Sequence, residues 1–334
     1  MDYFRSKRFL DTLSDWEKGN PFFGPLENYL PRMRALLRRL DNPETSFRSM
    51  IVGGTNGKGT VSNLIAELLL DAKISVGLYT SPHLHTERER IRINGTLLTK
   101  EVWAESLTKM QIALEGFEKE GLGALSRFEV LTGLAVLTMA EADVKWGIFE
   151  VGLGGRFDAT NAWDSELSVL TRIGLDHVGV LGDTLSEIAA EKICIGRSGN
   201  LMFTPVSQTD EVTTFLRKKS SGLGIKLKFV DSIHIDGKPS FFCENAGLAC
   251  SVVQSIGLDF STIRQSRVID ETHWPGRFEW VSKSPPVLLD GAHNPQAAQV
   301  LAENLRAYTP KWNVVIGSST GHDVIGILAE LAPL

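Results

Sequence analysis

The residues best suited to chemistry lie in a glycine-rich loop between an apolar run at Met50 and a helical stripe that ends near Leu70. Glycines let backbone N–H groups approach anionic oxygens, and a lysine and a helix N-terminus both favour phosphate. The sequence therefore predicts a phosphate-binding loop, with a simple glycine turn as the alternative. Unlike the usual P-loop, Gly59 separates the lysine from the following hydroxyl. The predicted binding residues are Thr55, Asn56, Gly57, Lys58, Gly59 and Thr60.

Polar residues also follow three other predicted strands, namely Ser81, Glu150 and His177. A nucleoside triphosphate brings Mg²⁺, which prefers oxygen ligands and keeps several waters. Glu150 is the natural carboxylate ligand, because an unpaired charge at a buried strand end would be costly. His177 has two interpretations, a metal ligand or a hydrogen-bonding loop residue. Lys192, on the following helix, either points at the same site or lies in solvent.

Three residues near the C-terminal end could contact the nucleotide or the substrate. Arg277 lies in an isolated Pro-Gly-Arg-Phe-Glu segment and suits a bidentate clamp on a phosphoryl group. Asp290 and His293 lie between a strand end and a helix start, where they could contact nucleotide or substrate. A turn held by its own polar side chains is the competing interpretation.

These residues must be positioned by a parallel sheet, since strands and helices alternate from Met50 onward. Ligands of such sheets bind beyond the carboxyl ends of the strands, so Lys58, Ser81, Glu150 and His177 should converge on one edge. We predict strands over 74–80, 144–151 and 167–173, and helices over 99–119 and 126–142, the latter with a capping box. A second capping box should start the helix of Lys192.

Residues 1–49 read as a helical lead-in. Pro31 can occupy the first turn of a helix whose Met33, Leu36, Leu37 and Leu40 should face inward, whereas the arginines are expected to lie largely outward. These are Arg32, Arg34, Arg38 and Arg39.

The domain organisation is predicted as 1–283, the P-loop domain with its lead-in, and 284–334, a smaller Rossmann-like domain. Ser284, Pro285 and Pro286 read as a linker, and a strand over 313–317 and helices from Pro295 and Asp323 should follow. Two such units are few for an independent sheet domain, so we expect the C-terminal domain to be cut short.

Composition limits the function classes. The chain has 334 residues and a net charge of -5, which argues against a nucleic-acid partner. We see no signal peptide and no apolar run of transmembrane length. Three cysteines without metal-type spacing suit a reducing compartment, so we expect a cytoplasmic protein with no membrane partner.

Seven segments together resemble the folylpolyglutamate synthase and dihydrofolate synthase family of the muramyl ligase superfamily. The match runs in order from about residue 25, and the two long motifs at 150–161 and 289–295 are specific. The segments read GTNGKGT, TSPHL, ERIRING, EVGLGGRFDATN, LDH with LGDT, WPGRFE and LDGAHNP.

The resemblance implies a ligase that uses ATP and Mg²⁺ to join L-glutamate to dihydropteroate or folate through an acyl phosphate. It implies that Ser81, Glu150 and His177 hold metal and that Lys192 is the family's carbamoylated lysine. By the same resemblance, the ATP-binding set is the phosphate loop with Asn245, Arg277, Asp290 and His293. The pterin pocket would be bordered by Ser126, Arg127, Phe128, Glu129, Phe157, Asp158 and Ala159.

A monovalent cation is a further candidate cofactor, and we expect a monomer. The catalytic residues would be Lys58, Lys192, His177 and Arg277. Three alternatives stay open: a MgATP-binding module impaired by a shortened C-terminal domain, a muramyl ligase acting on a peptidoglycan precursor, and a P-loop kinase or GTPase. The displaced hydroxyl of Thr60 counts against the last of these.

Overall fold

The computed structural model describes residues 1–16, 26–258, 261–309, 311–318 and 323–334. Part of the predicted lead-in, 17–25, therefore lies outside the described residues. The helices are α1 (Tyr3–Asp11), α2 (Tyr29–Arg39), α3 (Lys58–Asp71), α4 (Lys100–Leu114), α5 (Arg127–Glu141), α6 (Leu185–Lys192), α7 (Asp210–Leu223), α8 (Ser240–Ser255), α9 (Thr262–Glu271), α10 (Pro295–Leu305) and α11 (Val324–Leu331). The strands are β1 (Arg48–Gly53), β2 (Val76–Tyr79), β3 (Ile91–Ile93), β4 (Thr96–Leu97), β5 (Trp146–Glu150), β6 (Leu167–Leu170), β7 (Leu201–Pro205), β8 (Lys226–Val230), β9 (Glu279–Lys283) and β10 (Pro286–Leu289).

The central sheet has eight strands in the order β4-β3-β2-β5-β1-β6-β7-β8. Strands β2, β5, β1, β6, β7 and β8 are parallel, whereas β3 and β4 add an antiparallel edge that the sequence did not predict. Because β1, β5 and β6 are adjacent, the loops that follow them open at the same edge of the sheet. The predicted parallel-sheet fold class is confirmed.

Helices cover both faces of this sheet. Successive side chains of β1 point to opposite faces, so Met50 and Val52 pack in the core cluster of α3 and α8, whereas Ile51 packs in that of α6 and α7. All three side chains are at most 1% exposed, and burying each one contributes about 1.5–3 kcal/mol. The strand that leads into the phosphate loop is thereby held rigidly.

Both predicted capping boxes are present. The Ser126 hydroxyl accepts the Glu129 N–H at 3.3 Å, and a Glu129 carboxylate oxygen accepts the Ser126 N–H at 2.8 Å. Thr184 and Glu187 exchange the same pair of bonds at 3.2 and 3.1 Å, which starts the short helix that carries Lys192. Such caps contribute about 1 kcal/mol each and fix where a helix begins.

We call residues 279–334 the C-terminal unit. Its strands β9 and β10 form an antiparallel hairpin, so Ser284 and Pro285 make a turn and the predicted linker there is wrong. The strand predicted over 313–317 is also wrong, because the described residues 311–318 contain no strand, and Val315 is 97% exposed. Helices α10 and α11 form as predicted and pack together through Ala298, Ala302, Ile327 and Leu331.

Two helical predictions need correction. Helix α4 ends at Leu114 instead of Lys119, and Gly116 follows with a φ of +65°, which breaks the helical path. Arg32 is buried, whereas Arg34 and Arg38 are exposed as predicted. Within the described residues, the helices are all too short or too polar to cross a membrane.

Candidate functional site

The phosphate loop connects the end of β1 at Gly53 to the start of α3 at Lys58. Gly57 has a φ of +90°, and a Cβ added there would lie 2.6 Å from Oδ1 of Asn245. The positive φ favours glycine here, and any Cβ would also force the Asn245 amide to shift. The loop therefore places the first turn of α3, with its unpaired N–H groups, at the sheet edge.

Thr55 holds the loop on the sheet. Its Oγ1 donates to the carbonyl of Gly174 at 3.1 Å and accepts the Gly174 N–H at 3.0 Å. The N–H groups of Thr55 and Asn56 donate to the carbonyl of Arg172 at 3.0 and 3.4 Å. The geometry thus gives Thr55 a structural task in the loop.

Two lysines meet at one carbonyl of this loop. Nζ of Lys58 donates to Gly54 O at 3.2 Å and to Thr55 O at 3.1 Å, and Nζ of Lys192 donates to the same Gly54 O at 2.9 Å. Burial and the charge of Lys58 lower the pKa of Lys192 to about 7. Burial also lowers the pKa of Lys58, although Glu150 and Asp176 oppose that shift. The site therefore holds one lysine whose amine is substantially neutral near pH 7.

Glu150 ends β5 inside the same cavity and is 4% exposed. Its Oε2 accepts the backbone N–H of Ser81 at 3.0 Å, which joins the ends of β5 and β2. Burial raises the pKa of this carboxyl, whereas the nearby Lys58 lowers it. A buried carboxylate on the same cavity as a phosphate loop has the chemistry that a hard divalent cation requires.

Asp176 gathers polar groups from both parts of the chain. His177 Nε2 lies 3.9 Å and His293 Nε2 lies 3.7 Å from its Oδ2. Burial alone would raise the pKa of Asp176, but the His293 hydrogen bond and the charges of both histidines and Lys58 hold it well below its usual range. Burial lowers the pKa of His177, so its ring is neutral near pH 7 and suited to bind a metal.

Arg277 lies just before the C-terminal unit, and Asp290 follows β10 within it. Asp290 accepts the Phe278 N–H at 2.7 Å and the Ala292 N–H at 2.8 Å, and an Arg277 guanidinium N–H donates to Gly291 O at 3.1 Å. Burial raises the pKa of Asp290. Both side chains line the same cavity as the phosphate loop.

All the predicted nucleotide and metal residues line one cavity of about 740 Å³. The residues brought together are Thr55 to Thr60, Ser81, Glu150, His177, Lys192, Asn245, Arg277, Asp290 and His293. Among the residues that the structure describes, no three His, Cys, Asp or Glu side chains form a ready metal cluster. The sparse set of Ser81, Glu150 and His177 suits Mg²⁺, which keeps waters and takes phosphate oxygens as further ligands.

A second cavity, of about 610 Å³, holds most of the predicted pterin-pocket residues. Ser126, Phe128, Glu129, Phe157, Asp158 and Ala159 line it. Arg127 does not, because it faces the first cavity, where it is held by Asp11 at 2.9 Å and by Glu87. Trp16, Leu153 and Gly154 line both cavities, so the two spaces adjoin.

Asp158 and Arg32 shape that second cavity. Asp158 accepts the N–H groups of Gly152 and Leu153, both at 3.0 Å, and so fixes the loop between the cavities. Arg32 forms a bidentate ion pair with Glu129 at 2.7 and 2.9 Å.

Sequence reasoning assigned no site role to Asp176 and placed Arg32 in solvent. Two signals were available: Asp176 directly precedes His177, and Arg32 lies four residues before buried Leu36, on the edge of the apolar stripe.

Comparisons with known proteins place this geometry in a family. A dihydrofolate synthase/folylpolyglutamate synthase of Bacillus subtilis is 33% identical, over 87% of this chain and 75% of that relative. The chain belongs to this family. The family model described as "Mur ligase, glutamate ligase domain" matches residues 276–334, which supports the wider Mur ligase relationship. The expected family and the expected ATP-dependent ligase class are therefore confirmed.

Solved members of the family share the fold. Mycobacterium tuberculosis folylpolyglutamate synthase complexed with ADP superposes with a TM-score of 0.87, 26% identity, and coverage of 99% of this chain and 80% of that one. A bifunctional folylpolyglutamate synthase/dihydrofolate synthase with Mn, AMPPNP and L-glutamate bound superposes with a TM-score of 0.84 and 28% identity. The match covers 99% of this chain and 81% of that one. The expected shortening of the C-terminal domain is not supported, since its family model matches here. The domain boundary at 283/284 and the residue roles stay predictions.

Proposed function

We propose that the chain joins L-glutamate to the carboxylate of dihydropteroate or a folate, at the expense of ATP, through an acyl phosphate. The observation that carries this proposal is the shared wall of Leu153 and Gly154 between a phosphate-loop cavity and an aromatic cavity. A flat ring bound in the second cavity would extend its carboxylate toward the phosphates in the first. Family membership supports the same chemistry.

At the nucleotide end, the first turn of α3 and Lys58 would hold the outer phosphates of ATP. Arg277, Asp290 and His293 would contact ATP from the other side of the cavity, and Asn245 lies against the loop at Gly57. Ser81, Glu150 and neutral His177 would hold Mg²⁺. The ion, when bound, supplies positive charge that offsets the charge of the phosphate oxygens.

In the first step a substrate carboxylate oxygen bonds to the γ-phosphorus and ADP leaves with the electron pair of the broken P–O bond. The glutamate amine then attacks the acyl carbon, loses a proton, and inorganic phosphate leaves. Lys58 and Arg277 are placed to stabilise charge on the transferring group. Closure around the cavity would exclude the water that hydrolyses an acyl phosphate.

Lys192 is proposed to act as a carbamate. A pKa of about 7 leaves much of its amine neutral at physiological pH, and a neutral amine can add carbon dioxide. The resulting carboxylate would lie beside the carbonyl of Gly54 and add negative charge near Lys58. The negative charge of the carbamate would offset the positive charge of Lys58, which shares the Gly54 carbonyl with Lys192.

The remaining expectations belong to the same proposal. We propose a cytoplasmic monomer that has no nucleic-acid or membrane partner, with a monovalent cation as a further candidate cofactor. The free cysteines Cys194, Cys243 and Cys250 suit a reducing compartment.

The decisive assay measures ADP release from MgATP with dihydropteroate or, separately, tetrahydrofolate, each with and without L-glutamate. We expect release only when a pteridine acid and glutamate are both present. Binding of MgATP without glutamate-dependent turnover would instead favour the impaired module. ADP release with a muramyl nucleotide, and with neither pteridine acid, would favour the peptidoglycan branch.

A further inference from the structure

Asn294 bonds to three different segments around the nucleotide cavity. It is 3% exposed and caps α10, since its Oδ1 accepts the Ala297 N–H at 2.9 Å. Its Nδ2 donates to Oδ1 of Asn56 at 3.0 Å and to Oδ2 of Asp176 at 3.3 Å. One buried amide therefore links the helix start to the phosphate loop and to the loop after β6.

Gln296 adds a second link to the same loop residue. Its Oε1 accepts from Nδ2 of Asn56 at 2.9 Å. A Cβ added at Gly174 would lie 2.0 Å from that Oε1, so the amide packs directly on the backbone of the β6 loop. The Gln296 amide is therefore in close contact with both the phosphate loop and the loop after β6.

Asn56 thus directs both ends of its side-chain amide at the C-terminal unit, although it belongs to the phosphate loop. The C-terminal unit also supplies Asp290 and His293 to this cavity, and Arg277 lies just before the unit. A nucleotide that touches the phosphate loop and these residues together requires one fixed arrangement of the two parts. The cluster of three amides lies where it can set that arrangement.

We propose that Asn294 and Gln296 are positioning residues, which hold the phosphate loop and the C-terminal unit in the arrangement of this structure through Asn56. They need not touch the reacting atoms. As a device for the ligase reaction, this inference rests on the proposed function. Its effect on nucleotide affinity can be measured without ligation.

We call the hydrogen bonds of Asn294 and Gln296 to Asn56 the latch. The variants are chosen to remove these bonds and to preserve helix α10. Gln296→Ala removes one hydrogen bond to Asn56, and Asn294→Ser keeps a hydroxyl for the helix cap but loses the amide donor. The matched control is Gln299→Ala, at an exposed position on the same helix whose amide donates to Glu303. Circular dichroism and thermal unfolding would check that each variant is folded.

We expect Gln296→Ala to weaken ADP affinity and to lower kcat/KM for ATP by about 3- to 10-fold, as the loss of a neutral hydrogen bond does. Asn294→Ser should cost about 10-fold or more, because it also loses a bond to a carboxylate. Gln299→Ala should match the wild type in both measurements.

A double-mutant cycle separates positioning from general damage. If the latch acts through Asn56, then Asn56→Ala combined with Gln296→Ala should fall no more than about twofold below Asn56→Ala alone. Independent structural effects would multiply instead. Multiplicative losses, or Gln296→Ala and Asn294→Ser both equal to wild type, would overturn the proposal. If the wild type binds ADP but ligates nothing, the proposed function is refuted. The double-mutant cycle measured on ADP affinity would still test the positioning role of Asn294 and Gln296.

Discussion

Replacing Arg32 with Met would test how the wall of the second cavity is built. The Arg32 and Glu129 side chains are 1% and 3% exposed, and they pair through two hydrogen bonds of 2.7 and 2.9 Å. Removing the arginine leaves a buried carboxylate without its counter-ion, which typically costs about 3–5 kcal/mol. Ser126 still donates its N–H and its hydroxyl to Glu129 at 2.8 and 2.7 Å, so we expect a loss near the lower end, about 3 kcal/mol.

Replacing Glu129 as well as Arg32 tests the same ion pair more sharply. Replacing both residues with apolar ones, Arg32→Met with Glu129→Leu, removes the stranded charge but also loses the cap, which costs about 1 kcal/mol. The contact of the Arg32 guanidinium with the Tyr29 ring, 4.4 Å to the ring centroid, is lost in both variants and does not affect their comparison. The double variant should therefore be about 2 kcal/mol more stable than Arg32→Met alone.

Urea unfolding followed by circular dichroism measures both quantities, and Arg38→Met, at an exposed position of the same helix, should change stability by less than about 0.5 kcal/mol. A single variant that loses under about 1 kcal/mol, or a double variant less stable than the single, would refute this reasoning.

Three further changes probe the nucleotide cavity. Gly57→Ala should weaken ADP binding at least about tenfold, because the φ of +90° and the 2.6 Å approach to Asn245 force the loop to move. The control Gly222→Ala, whose added Cβ would have nothing within 4 Å, should leave ADP binding unchanged. Equal ADP affinities of the two variants would contradict this prediction. Glu150→Gln should lower the apparent Mg²⁺ affinity measured through ADP binding by about tenfold or more, and an unchanged Mg²⁺ dependence would remove Glu150 from the metal site. Lys192 has a folded pKa of about 7 against 10.5 unfolded, so the unfolded chain binds more protons between these values and stability rises with pH there. Lys192→Met should flatten that rise, by at most about 1.4 kcal/mol per pH unit in urea titrations at pH 7 to 10, and an identical slope would show that Lys192 titrates normally.

The sequence predicted the phosphate loop well because its signals are local. A β-run, glycines with a lysine, and a helical stripe occupy consecutive residues, and each is read from its own spacing. The convergence of Lys58, Ser81, Glu150 and His177 followed from the parallel sheet alone, since parallel strands present their carboxyl ends at one edge. The structure places all four on one cavity.

What the sequence missed depends on partners far along the chain. Arg32 looks like a surface residue until Glu129, 97 positions later, pairs with it. The run at 313–317 has the composition of a strand, but a strand also needs a neighbour that accepts its hydrogen bonds. Arg127 follows Ser126 directly, yet the helical rotation turns it toward Asp11 and the first cavity.

We expect the two adjoining cavities to let a bound acid take the phosphoryl group of ATP. The most direct measurement uses dihydropteroate, or tetrahydrofolate if that is the accepted substrate, labelled with ¹⁸O in the reacting carboxylate, and follows the label by ³¹P NMR during turnover with glutamate. An acyl phosphate transfers one labelled oxygen to each phosphate released, so we predict ¹⁸O in the inorganic phosphate. Phosphate released without label during amide formation would rule out an acyl phosphate.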